Sequence, residues 1–146
     1  MIGLLQRVTR ASVTVEGKVL GCIEQGLMVL VGIERDDTEV QADRLLERLL
    51  SYRVFADADG KMNLSLQQVQ GGLLLVPQFT LAADTDKGAR PGFSSAATPE
   101  KGRQLFEYLL SRAQQQYPHV ASGQFGVDMQ VELINDGPVT FSLRVR

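Results

Sequence analysis

Apolar and polar residues alternate from Ile2 to Val15, with Leu4, Gln6 and Val8 on one face and Leu5, Arg7 and Thr9 on the other, followed by Val13 and Val15. Period-two alternation is the mark of half-buried strand, and the segment reads as two strands in succession. Glu16-Gly17-Lys18 turns the chain and Val19 to Glu24 returns. Gly26-Leu27-Met28-Val29-Leu30-Val31-Gly32-Ile33 is almost continuously apolar, as in a strand buried on both faces. The N-terminal third is therefore expected to be a meander. Asp36, Asp37 or Thr38 can then cap a helix, since Val40, Leu45, Leu46, Leu49 and Leu50 recur at helical spacing. That helix should cover one sheet face.

Beyond it, Arg53 to Ala56 reads as a short strand and Asp57-Ala58-Asp59-Gly60-Lys61 as a turn. Its aspartates are too few for a calcium-binding EF-hand loop. A Gln-rich link leads through Gly71-Gly72 into Leu73 to Leu81, a second buried strand interrupted by Pro77, which exposes backbone that a ligand could use. Residues 82–97 form a long polar loop, and Thr98-Pro99 starts a helix striped by Leu105, Phe106, Leu109 and Leu110 that runs towards Tyr117-Pro118. Val127 to Ile134 and Val139 to Val145 read as a strand pair around Asn135-Asp136-Gly137-Pro138-Val139-Thr140. Asp-Gly between apolar runs is a hairpin signal, yet Pro138 has no N–H for a ladder, so a plain hairpin would not need it.

Composition narrows the picture. The chain has 146 residues, 44% hydrophobic and 22% charged, which favours one domain, 1–146, with one sizeable core. Its apolar runs are strand-length, so neither a membrane span nor a signal peptide is expected and the reading is cytoplasmic. A net charge of −2 argues against a broadly basic nucleic-acid surface. Lys87 and Arg90, with Lys101 and Arg103 nearby, still offer a local phosphate-contacting patch. The single Cys22, in an alternating segment, reads as a buried structural thiol and excludes an internal disulfide.

The candidate chemistry is defined by what the sequence lacks. His119 is the lone histidine and follows Pro118 in a surface loop, an unpromising base for a Ser-His-Asp triad or a metal site. Neither a Gly-x-x-x-x-Gly-Lys-Ser/Thr loop nor a Gly-x-Gly-x-x-Gly turn is present. Asp57 with Asp59 and Asp84 with Asp86 sit in turns, where Asp is common anyway. No metal or cofactor is expected, and an enzyme of this composition would work largely through backbone groups. Thr80, taken alone, reads as a β-branched strand residue before a nucleophile.

Two polar insertions remain, Gln78-Phe79-Thr80-Leu81 and Asn135 to Thr140. Together with Gln6-Arg7-Val8, Ala11 to Val15, Lys61-Met62-Asn63-Leu64 and Asp128-Met129-Gln130-Val131, they make the chain resemble the D-aminoacyl-tRNA deacylases over essentially its whole length. Two positions depart from the family pattern: Pro77 stands where Ser is usual, which removes a side-chain hydroxyl, and Gly92 stands in place of Ser in Arg-Pro-Ser-Phe.

The resemblance implies an α+β fold: a mainly antiparallel, β-barrel-like sheet with two or so outer helices, in a homodimer with the site at the subunit interface. It implies a cis Gly137-Pro138 bond that reaches into the neighbouring subunit's pocket and presents carbonyls to the α-ammonium of an aminoacyl ester. An L side chain is excluded by clash, while glycine, with no side chain, is not. The partner is then a tRNA carrying a D-amino acid or glycine. Backbone N–H groups around Phe79 and Thr80 stabilise the oxyanion, and the 2′-hydroxyl of the tRNA's terminal ribose activates water. Thr80 has a positioning role, since a hydroxyl without a base is a weak nucleophile. Gln78, Phe79 and Met129 line the pocket and Arg7 braces the turn by donating to its carbonyls. The rival reading is a non-catalytic dimeric module that binds amino acids or nucleic acid.

Overall fold

The computed structural model describes residues 1–146. Its organising element is β1 (Ile2–Val15), a single strand of 14 residues where the alternation had suggested two. One long strand serves because its two halves have different neighbours. Residues 2–8 lie between β3 (Gly26–Gly32) and β8 (Gln130–Arg144), and residues 11–14 lie between β2 (Lys18–Ile23) and β8. The N-terminal third is thus not a meander, for β3 pairs with β1 and skips β2.

The sheet is mixed. β3 pairs in parallel with β6 (Gly72–Pro77), and β6 in parallel with β7 (Val120–Ser122). The expectation of a mainly antiparallel sheet is corrected on that side, because helical crossovers join these strands, as parallel neighbours require. The first crossover contains α1 (Glu39–Ser51), the β4–β5 hairpin (Phe55–Ala56 with Met62–Leu64) and α2 (Leu66–Val69). The second contains α3 (Pro99–Gln116). The ends of the sheet approach each other: a Cβ added to Gly21 in β2 would lie 3.0 Å from the Ser122 carbonyl oxygen in β7. The result is a nearly closed barrel with three helices.

Local chemistry explains the helix boundaries. Of the three candidate caps for α1, Thr38 is used: its hydroxyl accepts from the Val40 N–H at 3.3 Å, and Gln41 accepts from the Thr38 N–H at 2.7 Å. Asp37 is instead buried and accepts from the Met1 α-ammonium at 2.7 Å. Thr98 caps α3 and Pro99 opens it. The Gln-rich link is helical because Ser65 and Gln68 form a capping box. Asp57 accepts from the Asp59 and Lys61 N–H groups at 2.9 and 3.0 Å, which closes the β4–β5 turn.

Two apolar clusters fill the interior. The larger packs Leu45, Leu46 and Leu49 of α1 and Phe106 and Leu109 of α3 against Leu5, Leu27, Val29, Leu73 and Leu75. The smaller lies on the opposite sheet face, with Val8, Val13, Met28, Leu74 and Val76. Gly26 to Gly32 is accordingly covered on both faces, as its unbroken apolar run implied. Cys22 is exposed rather than buried, since alternation on β2 turns Gly21 and Ile23 inward and the thiol outward. No helix is long and apolar enough to cross a membrane.

Candidate functional site

The second buried strand ends at Pro77, four residues before the end the apolar run suggested. Pro77 is the last residue in register with β3, opposite Val31; the Gln78 N–H then donates to the Val31 carbonyl at 2.8 Å, and residues Phe79–Ala82 wind into a 3₁₀ turn. Gly32 makes room for that turn, because a Cβ there would lie 2.8 Å from Leu81 Cβ. Backbone bonding within the turn begins with Leu81 N–H to Gln78 O at 3.3 Å. The N–H groups of Phe79 and Thr80 precede it, where a helical turn offers its first donors no acceptor. The Gln78 side-chain amide donates to the Thr80 hydroxyl.

Beside the turn lies a cleft of about 610 Å³, lined by Val31, Val76, Pro77, Gln78 and Phe79 on one side, by Thr98 at the cap of α3 and Pro99 and Gly102 within it, and by residues 125–129 and Val131. Its lining is largely apolar, and Asp128 is its only titratable side chain. Gln78 and Met129 are half-buried in it, whereas Phe79 and Thr80 are exposed. Thr80 lies outside the lining. Phe79 stacks obliquely on Phe93, centroids 5.2 Å apart, which ties the turn to the long polar loop. Lys87 and Arg90 are exposed on that loop. His119 sits away from the cleft, its ring 5.9 Å edge-on to Tyr117.

Phe125 and the α3 residues were not singled out from the sequence. Thr98-Pro99 had signalled only a helix start, and the glycines flanking Gln124-Phe125 were the one hint that the chain bends around something.

The second insertion differs from its expected form. Residues 135–140 do not reverse the chain: the segments on either side are one strand, β8, and both pair with β1. Gln6 pairs with Thr140 and Val8 with Asn135, so residues 136–139 stand as a bulge opposite Arg7 alone. A hairpin would need the two runs to pair with each other, and β1 already occupies both. Gly137 and Pro138 are exposed at the tip, joined by a cis peptide bond, with Gly137 at φ +129. Arg7 reaches along the bulge: Nε donates to the Asp136 carbonyl at 3.1 Å and Nη1 to the Val54 carbonyl at 2.7 Å. Its guanidinium is also 3.7 Å from the Asp136 carboxylate.

Arg7, Gly137 and Pro138 are therefore together, as are Gln78, Phe79 and Met129, but the two groups are apart within one chain. Val131 lines the cleft and the bulge begins five residues further along β8, about 16 Å at strand rise.

A small mixed barrel with outer helices, carrying a largely apolar cleft beside a 3₁₀ turn and a separate exposed bulge, is the class of protein that fold and site define: a small binding or catalytic domain. The comparisons supply the family. The model described as D-Tyr-tRNA(Tyr) deacylase matches residues 4–144, and the chain belongs to that family of hydrolases. It is 65% identical over 144 residues to the D-aminoacyl-tRNA deacylase of Pseudomonas fluorescens (strain Pf0-1), covering 99% of each chain. It is 67% identical over 141 residues to that of Pseudomonas syringae pv. tomato (strain ATCC BAA-871 / DC3000), covering 97% of each. Among solved structures, the c-Myc DNA Unwinding Element Binding Protein superposes with a TM-score of 0.95 at 38% identity, covering 100% of this chain and 99% of that one. A probable eukaryotic D-amino acid tRNA deacylase shares the fold, with a TM-score of 0.79 at 17% identity and coverage of 97% and 98%.

Proposed function

We propose that this chain hydrolyses the ester of D-aminoacyl-tRNA, and of glycine mischarged on alanine tRNA, in the cytoplasm, as a homodimer in which each bulge completes the neighbour's cleft. The observation that carries the reading is the separation of the two insertions. The tip of the bulge is exposed and the bulge begins about 16 Å along β8 from Val131, the last cleft residue on that strand, which favours its serving the pocket of another copy. Backbone carbonyls on a rigid bulge are acceptors suited to an α-ammonium. With ammonium and ester fixed, D and L side chains point in different directions and the wall excludes one of them.

The Phe79 and Thr80 N–H groups suit the developing oxyanion, and the 2′-hydroxyl of the terminal ribose activates the water. Thr80, its hydroxyl bonded to Gln78, positions the turn. Gln78 and Met129 contact the substrate in the cleft, Arg7 fixes the bulge, and Lys87 and Arg90 meet tRNA phosphates.

The test is deacylation of D-tyrosyl-tRNA against L-tyrosyl-tRNA by the purified protein. Rapid loss of the D ester alone is expected; stable D ester would leave only a binding module. Thr80→Ala retains substantial activity, while D-tyrosyl-tRNA ending in 2′-deoxyadenosine is hydrolysed slowly; the reverse pattern restores Thr80 as nucleophile. Activity per chain falls on dilution below the dimer dissociation constant, and a fully active monomer would overturn the shared site.

A further inference from the structure

We infer that Asn135 is the positioning residue that sets the shape of the bulge at 136–139, and through that shape the preference for D over L esters. The second half of this inference rests on the function proposed above.

Four residues opposite one have left the β-ladder, so their backbone groups need other partners and the protrusion needs something to fix its direction. Asn135 stands at its neck and uses both ends of its side-chain amide. Oδ1 accepts from the Val139 N–H at 2.9 Å, across the base of the bulge, and Nδ2 donates to the Thr140 hydroxyl at 2.9 Å. The same hydroxyl accepts from Gln6 Nε2 at 3.4 Å, which ties the neck back to β1. The Val139 bond is partly buried and the Val139 side chain is buried, so water competes poorly for that amide. Arg7 grips only the first residue of the protrusion, through Asp136 O. The exit of the bulge, from Pro138 into Val139 and Thr140, is held by Asn135.

Residue chemistry makes the inference specific. Alanine at 135 loses both bonds. Aspartate keeps the acceptor for Val139, and the Thr140 hydroxyl can reverse and donate to it, because a hydroxyl both donates and accepts. Serine at 140 keeps that hydroxyl and valine does not. A merely structural requirement for a well-formed strand would not follow this pattern, since valine is a better strand residue than serine.

Two measurements on the full-length protein test it. Amide hydrogen exchange at Val139 should be slow in the wild type and in Asn135→Asp and fast in Asn135→Ala; equal protection in all three overturns the positioning role. The ratio of kcat/KM for D-tyrosyl-tRNA to that for L-tyrosyl-tRNA should fall about tenfold or more in Asn135→Ala and Thr140→Val, since an ångström of misplacement is worth about 10²-fold. It should be largely retained in Asn135→Asp and Thr140→Ser. An unchanged ratio in Asn135→Ala, with exchange altered, overturns the link to selectivity. If Asn135→Ala does not fold, Thr140→Val, on an exposed side chain, replaces it: it leaves the Asn135 amide held at Val139 alone, so exchange at Val139 should quicken and the D-to-L ratio fall, unchanged exchange overturning the positioning role and an unchanged ratio the link to selectivity. A wild type with no D preference would overturn the proposed function and the selectivity link with it, while the exchange comparison would still judge the clamp.

Discussion

Replacing Gly137 by alanine tests whether the bulge acts through its shape. The backbone there has φ +129, a region essentially reserved for glycine, so alanine carries about 1–3 kcal/mol of strain. Space adds to the cost: the new Cβ would lie 2.9 Å from Val139 Cγ2 and 3.0 Å from Arg7 Nη2. Val139 is buried and Arg7 is held by two carbonyls, so neither neighbour yields freely. Because the tip is exposed, the bulge can move to relieve part of the strain, and a net loss of about 2 kcal/mol is expected. For a chain of this size, that lowers the melting temperature by about 4–8 °C. A shift of about 1 Å at the tip should cost about 10²-fold in single-turnover hydrolysis of D-tyrosyl-tRNA, measured well below the melting transition. A variant that melts earlier but hydrolyses D and L esters like the wild type would refute the claim that this bulge meets the substrate. One that is unchanged in both would refute the reading of the backbone.

Two further outcomes concern the scaffold. Burial pushes the Glu34 carboxyl up, but hydrogen bonds and charge from Arg144 and the Met1 α-ammonium outweigh it and hold the pKa below its ordinary value of 4.5. A depressed carboxyl pKa contributes stability that is present above pH 4.5 and lost as pH falls through the folded-state value. Glu34→Gln should therefore flatten the acid limb of stability against pH in denaturant titrations; an identical limb would contradict the pairing. Leu75 is fully buried in the main core, between β3 and β7, and Leu75→Ala should cost about 2–5 kcal/mol by urea denaturation, with a loss below 1 kcal/mol arguing against the packing described.

What the sequence showed depended on how local each signal was. Thr98-Pro99, the stripe Leu45, Leu46, Leu49 and Leu50, and the apolar run at Gly26 to Gly32 all act within a few residues of themselves, and each formed the expected element. Pairing partners are not local. Nothing in Lys18 to Ile33 distinguishes a meander from an arrangement in which β3 returns beside β1, and the direction of β6 is set by a crossover through α1 rather than by its own residues. Cys22 was misplaced for the same reason: alternation shows that a strand has two faces and leaves open which one meets the core.

The bulge is the sharpest instance. Asp136-Gly137 carries the local chemistry of a turn, and a turn does form in the sense that four residues leave the ladder. Whether the chain then reverses depends on the partner of the strand that follows, and Thr140 to Arg144 finds β1 instead of Val131 to Ile134. Asn135 could not be read as a clamp until that pairing was known, since its amide spans a gap that exists only if both flanks share one neighbour. The motif was legible as a deviation from regular strand. Its direction, and hence its distance from its own cleft, came from long-range pairing, and the proposal of a site shared between two copies rests on that distance.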